Sequence, residues 1–241
     1  MLGADPEPQP RARGPVTPPP PARVPVDVGS SLAALFADTT DDPPELQPRI
    51  LTVCTGNICR SPLAETVLAA RLADLDVRVH SAGTQAMVGH GMPEEARLLA
   101  ENHGADPARV AAHQAQLLTE ALVDDADLVL AMSAEHSAAA LRLSPRRLHR
   151  TFTVREFARL AATLDDGVLR SVARGASTAR SRFSTLVQAV SDQRGVAPRA
   201  TGDEDVIDPY RRSTEVYAQS AEQLVPALDQ VERVARIALV R

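Results

Sequence analysis

The sequence predicts an α/β protein built on a mainly parallel four-stranded sheet with helices on both faces. Two observations carry that expectation. From residue 49 onward, short β-rich runs alternate with helical stretches, the order that lays strands parallel and puts helices over them. The run at 126–131 (ADLVLA) is short and almost wholly apolar, which marks a strand covered on both sides.

The elements follow in order. Ile50, Leu51, Thr52 and Val53 form the first strand. Ser61 and Pro62 then open a helix to about residue 75, with Ser61 as N-cap and Pro62 in the first helical position. Val77 and Val79 alternate with polar residues up to Gly83 and read as the second strand. Pro93 opens a helix that Gly104 can close. After the third strand at 126–131, Ser133 caps a helix to about residue 143. Residues 149–154 are the fourth strand, followed by a helix over 155–164. Phe183, Leu186, Val187 and Val190 give helical spacing to 178–190. The last helix covers 213–240, with Pro226 expected to interrupt or kink it.

Residues 1–48 stand apart. They hold 12 of the 19 prolines and read as a disordered Pro-rich arm, leaving 49–241 as the folded domain. Apolar residues at 44 % and charged residues at 24 % give a soluble globular balance. All 26 basic residues are Arg, so lysine chemistry is excluded. A net charge of -5 gives no reason to expect a nucleic-acid partner. The two cysteines, Cys54 and Cys59, make neither a disulfide framework nor a zinc site, and no metal is expected. Apolar runs are too short for a membrane span, and the N-terminus lacks the order of a signal peptide. A cytoplasmic location with no membrane partner is the expectation.

The run VCTGNICRSP at 53–62 carries most of the chemistry. A strand ends, a short loop follows, and a helix begins. Loop amides pointing inward form an anion nest, and the helix N-terminus adds partial positive charge. Gly56 is expected to supply backbone freedom. Cys54 stands at the entrance of the loop, where positive surroundings favour thiolate over thiol. Arg60 stands at its exit with a planar fork suited to two phosphoryl oxygens. Thr55, Gly56, Asn57, Ile58 and Cys59 complete the loop. Ser61 can donate a hydrogen bond to the sulfur, and Asn57 can brace the loop by bonding its backbone. Further on, GDEDVIDPY at 202–210 offers Asp203, Glu204, Asp205 and Asp208 as acids, and chemistry alone does not choose among them. No histidine is assigned to catalysis; His80, at a strand end, is the one to watch. Asp124, Asp125 and Asp127 read as a solvated helix end.

The nonapeptide Cys54 to Pro62 closely resembles the signature loop of the low-molecular-weight protein-tyrosine phosphatases. Ser81-Ala82-Gly83-Thr84 resembles the segment after that family's second strand, and Asp208-Pro209-Tyr210 its late acid loop. The resemblance covers about 49–165 and 203–240, with 166–202 looking like an insertion. It implies a flavodoxin-like phosphatase fold and phosphotyrosine in a protein as substrate, hydrolysed in two steps through a cysteinyl-phosphate intermediate without cofactor or metal. In that scheme Cys54 attacks phosphorus, Arg60 and the loop amides bind the oxygens, and Asp208 serves as acid and then base. It also implies that Ser81 and Asn57 brace the loop, that Tyr210 and Met87 wall the substrate slot, and that Cys59 can pair with Cys54 under oxidation.

Two positions depart from the family pattern. Arg211 stands where a second aromatic is frequent, and Met87 where many members carry an aromatic. The alternatives are an arsenate reductase using a small external thiol, a protein-arginine phosphatase, and a non-catalytic phosphate-binding module. No cysteine follows Cys59, which excludes a relay through further protein thiols. Arginine phosphatases of similar sequence carry Thr at the position of Ile58, and a branched apolar Ile suits a phosphotyrosine pocket better. Retention of Cys54, Arg60 and Asp208 speaks against a decayed site.

Overall fold

A computed structural model describes residues 47–240. The expectation of a disordered arm falls on residues that lie, apart from Gln47 and Pro48, outside the described ones.

Strands β1 (Arg49–Cys54), β2 (Arg78–Gly83), β3 (Leu128–Ala131) and β4 (Thr151–Thr153) form one parallel sheet in the order β2-β1-β3-β4. β1 is central, and its sequence RILTVC is buried from the second residue on, as a strand covered on both faces requires. Alternation then sorts its side chains. Ile50 and Cys54 join the larger core with Leu128, Leu130 and Phe152, whereas Leu51 and Val53 pack with Ala82, Val123, Val129 and Ala140 on the other face. Helices therefore cover both faces, as the alternation of elements predicts.

The described helices are α1 (Arg60–Arg71), α2 (Glu94–Asn102), α3 (Pro107–Ala112), α4 (Glu120–Asp125), α5 (Ala134–Leu143), α6 (Val154–Ala161), α7 (Asp166–Ala173), α8 (Ala179–Asp192) and α9 (Thr214–Leu239). None is long and apolar enough to cross a membrane. Two ends match the sequence reading: Ser133 caps α5, and Gly104 follows α2 at φ +91; α8 begins after Thr178, whose side chain caps it.

Other ends differ. α1 starts at Arg60 with Cys59 as N-cap, so Ser61 and Pro62 lie inside its first turn. Pro62 is tolerated there because first-turn amides have no intrahelical acceptor to lose. The fourth strand is only three residues long, because 145–150 coil into a 3-10 helix before it. α9 runs through Pro226 uninterrupted; ten buried residues along it, from Tyr217 to Ala238, hold it against the core. The short helices α3 and α4 and the helix α7, capped by Asp106, Thr119 and Asp165, are additions to the elements read from the sequence.

The extra segment 166–202 is integral to the core rather than appended to it. Leu169, Phe183, Leu186, Val187 and Val190 are fully buried in the larger core beside residues of α6 and α9. Arg194 lies 4.2 Å from the centroid of the Phe152 ring and pairs with Glu156. Asp127, read above as solvated, is 1 % exposed. Its carboxylate accepts from the Arg49 amide at 3.0 Å and Ser184 Oγ at 3.1 Å, and pairs with Arg150 and Arg180 at 3.1 and 2.9 Å. A buried carboxylate needs that many donors to offset its desolvation. Two of them, Arg180 and Ser184, come from α8, which no local pattern places beside it.

Candidate active site

β1 ends at Cys54, and the loop from there to α1 is folded over its thiol. Cys54 is 3 % exposed. Its Sγ lies 3.0 Å from Ser61 Oγ and accepts from the Asn57 amide at 3.3 Å. The N-terminus of α1 points at the same place, and its cap residue, Cys59, makes no side-chain capping bond.

The loop takes its sharp turn at Asn57, which has φ 56. Gly56 has no positive φ, and a Cβ there would meet only Ile58 and Met87, at 3.5 Å or more. The left-handed residue is thus Asn57 rather than Gly56, held there by its own side chain. Asn57 Nδ2 donates to Ser61 Oγ at 3.0 Å and to Ser81 Oγ at 2.7 Å, and its Oδ1 accepts from the Gln116 amide at 2.8 Å. Ser81 Oγ donates to Glu65 at 2.6 Å, and Arg109 pairs with Glu65 at 2.9 Å. His113 Nε2 lies 2.8 Å from the Asn57 carbonyl oxygen.

The glycine that the site does require is Gly83. A Cβ on it would sit 2.5 Å from the Thr55 carbonyl oxygen and 3.0 Å from the Asn57 amide nitrogen. Both are backbone atoms and cannot rotate aside. Beyond Gly83 the chain pairs with the loop: the amides of Thr84, Gln85 and Met87 donate to the carbonyls of Cys54, Thr55 and Gly56 at 2.9, 2.9 and 3.0 Å. Gly83→Ala should destabilise the fold by about 1–3 kcal/mol, as overpacking does, and lower turnover by distorting the loop. A thermal melt and an activity assay on the same preparation check this; an unchanged melting temperature with parental turnover would contradict it.

Arg60 is 6 % exposed and splits its fork. One nitrogen donates to the Val206 carbonyl at 2.9 Å and the other pairs with Asp208 at 2.8 Å. The segment carrying Asp208 is tied to the sheet by the Val206 amide on the Met132 carbonyl at 2.8 Å, and to α9 by the Ile207 amide on Gln223 at 2.9 Å. Of the four candidate acids, Asp208 alone lines the cavity above Cys54. Asp205 turns away and accepts from the Ala134 amide at 2.7 Å, at the start of α5. Glu204 pairs with Arg159 at 2.7 Å, and Asp203 accepts from the Asp205 amide at 2.9 Å.

The cavity is about 190 Å³, with Cys54 and Arg60 on its lining and Ile58, Met87, Gln85 and Tyr210 among its walls. The Tyr210 amide donates to Asp208 Oδ1 at 3.2 Å, and the next residue, Arg211, is left-handed at φ 60 with its guanidinium 5.1 Å from the Tyr210 ring centroid. Cys59 packs below the loop, 3.7 Å from Tyr217 Oη, and burial pushes its thiol pKa up to about 12.

The histidines differ from the sequence reading. His80 makes no hydrogen bond to the loop; burial, and then Arg78, push its pKa below the usual value. The loop is touched instead by His113 and by His136, whose Nε2 lies 2.8 Å from Thr55 Oγ1. Neither carries a local motif. Glu65 is different: it stands four residues after Ser61, on the same face of α1, a relation open to helical spacing.

The family described as low molecular weight phosphotyrosine protein phosphatase matches residues 49–169. The probable low molecular weight protein-tyrosine-phosphatase AmsI of Erwinia amylovora is 42 % identical over 96 residues, 40 % of this chain and 63 % of that protein. The protein-arginine-phosphatase of Bacillus subtilis is 39 % identical over 111 residues, 45 % of this chain and 71 % of that protein. The chain thus spans less than two thirds of the first of these relatives. Among solved structures, Vibrio vulnificus Wzb in complex with benzylphosphonate superposes with a TM-score of 0.53 at 26 % identity, covering 77 % of this chain and 97 % of that one.

Proposed function

This chain belongs to the low molecular weight phosphotyrosine protein phosphatase family, and on that premise we propose that it hydrolyses phosphotyrosine in proteins through a phosphorylated Cys54. The observation that carries the reading is a buried thiol beneath a cavity that also receives a helix N-terminus, an arginine fork and one carboxyl group.

In the first step the Cys54 thiolate forms an S–P bond as the bond from phosphorus to the phenolic oxygen breaks, and Asp208 gives its proton to that oxygen. Arg60 and the first-turn amides of α1 hold the remaining phosphoryl oxygens. A phosphate that takes over the Arg60 fork displaces Asp208 from it and leaves that carboxyl facing the leaving group. In the second step water attacks phosphorus, the Asp208 carboxylate takes a water proton, and the P–S bond breaks. The Ser61 hydroxyl donates to the departing sulfur. Phosphate leaves with the thiolate restored.

The aryl preference rests on the walls. Ile58, Met87 and Tyr210 offer apolar and aromatic surface to a phenyl ring. Wzb, the structural relative, is solved with benzylphosphonate, an aryl phosphoryl mimic. The B. subtilis relative is named for phosphoarginine, so the two substrates need direct comparison. Matched phosphotyrosyl and phosphoarginyl peptides, assayed side by side, should show the higher kcat/KM on phosphotyrosine. A higher value on phosphoarginine would overturn the aryl reading while leaving the cysteine chemistry in place.

A further inference from the structure

The mechanism makes no use of His136, a buried imidazole directly behind the loop. It stands in the first turn of α5 and is 3 % exposed. Its Nε2 lies 2.8 Å from Thr55 Oγ1 and its Nδ1 lies 2.8 Å from Ser133 Oγ. Thr55 lines the cavity beside Cys54 and Arg60. A buried ring bonded through both nitrogens to two hydroxyls has one defined orientation, and it connects the start of α5 to the anion loop.

We propose that His136 is a positioning residue that turns the Thr55 hydroxyl into a further donor to the bound phosphoryl group. The inference rests on the phosphate-binding reading of the cavity. Its logic is proton bookkeeping along the chain Ser133–His136–Thr55. Ser133 Oγ accepts the His136 amide at 3.3 Å, which leaves its own hydrogen free to go to Nδ1. Nε2 then carries the ring hydrogen and donates to Thr55 Oγ1. The Thr55 hydrogen is left with no partner among the described residues and can point to an anion in the cavity. The reverse tautomer spends the Thr55 hydrogen on Nε2 and turns oxygen lone pairs toward the anion, which an anion disfavours. Burial, and then the Arg60 charge, push the ring pKa down to about 4, so near neutral pH the imidazole is uncharged and has one N–H to place.

The test separates the two ring nitrogens. Gln at 136 can put its amide near the Nε2 position and keep the Thr55 contact; Asn reaches only the Nδ1 position and keeps the Ser133 contact. Inorganic phosphate binding, measured by calorimetry, and kcat/KM on an aryl phosphate are read on the full chain. Thr55→Val, which is isosteric and faces the cavity, and His136→Asn should each weaken phosphate binding by about 10- to 100-fold, the loss expected for a hydrogen bond to a charged group. The double variant should be no worse than either single one. His136→Gln should recover most of the loss. Parental phosphate binding by Thr55→Val, or equal losses in His136→Gln and His136→Asn, would overturn the proposal. If the parent turns over no phosphomonoester, yet phosphate binding follows the predicted pattern, the catalytic reading fails and the positioning role stands.

Discussion

Cys54→Ser should abolish phosphomonoester turnover while leaving the fold intact. Serine is nearly isosteric with cysteine, and the Asn57 amide and Ser61 hydroxyl that surround Sγ can both bond an alkoxyl oxygen. The hydroxyl does not ionise near neutral pH, so the S–P bond has no counterpart that forms at a comparable rate. Circular dichroism and the melting temperature should stay near the parent's, and the variant should still bind inorganic phosphate through Arg60 and the α1 terminus. Substantial residual turnover would show that the sulfur is not the attacking atom.

Asp208→Asn should slow hydrolysis of phosphotyrosine by about a hundredfold or more, as loss of a general acid does. A tyrosine leaving group needs a proton because its phenol has a pKa of about 10. An ester of a much more acidic phenol needs it far less, so the phosphorylation step with such an ester should slow little. Dephosphorylation should slow with both substrates, because the same carboxylate activates the water. The sulfur-bound intermediate then accumulates, and a rapid-mix trace should show a burst of phenol. Asp205→Asn is the control. Its carboxylate accepts from the Ala134 amide, away from the cavity, so it should show no leaving-group dependence. If Asp205→Asn carried that dependence and Asp208→Asn did not, the acid would be misassigned.

Much of the frame was legible in the sequence because it is written in local patterns. β1 and β3 are short apolar runs, α5 begins at the Ser133 cap expected of it, and α8 covers the stretch whose apolar residues have helical spacing. The loop from Cys54 to Pro62 reads as an anion nest from residue types alone; in space it lines a cavity and leads directly into the start of α1. The parts that were not legible depend on tertiary contact. Asp127 looks like one of three solvated carboxylates until α8 brings Arg180 and Ser184 against it. Gly56 looks like the flexible residue of the loop, whereas Asn57 holds the left-handed turn with side-chain bonds to Ser61 and Ser81. Gly83, unremarkable in a strand, is fixed by the Thr55 carbonyl that lies against it. His113 and His136 touch the loop from far along the chain, where no spacing rule reaches. α9 shows the same limit in its backbone: of the interruption or kink expected at Pro226, the interruption does not occur, and the buried face of the helix runs on through it.

The claim on which the rest depends is that phosphorus becomes bonded to the sulfur of Cys54. Asp208→Asn protein mixed with the phosphate ester of an acidic phenol, quenched in acid during the burst and digested, gives the direct measurement. The peptide containing Cys54 and Cys59 should carry the added mass of one HPO3 group, fragmentation should place it on Cys54, and chasing with buffer before the quench should remove it. A burst of phenol with that peptide unmodified, or with the group on any other residue, would contradict the account.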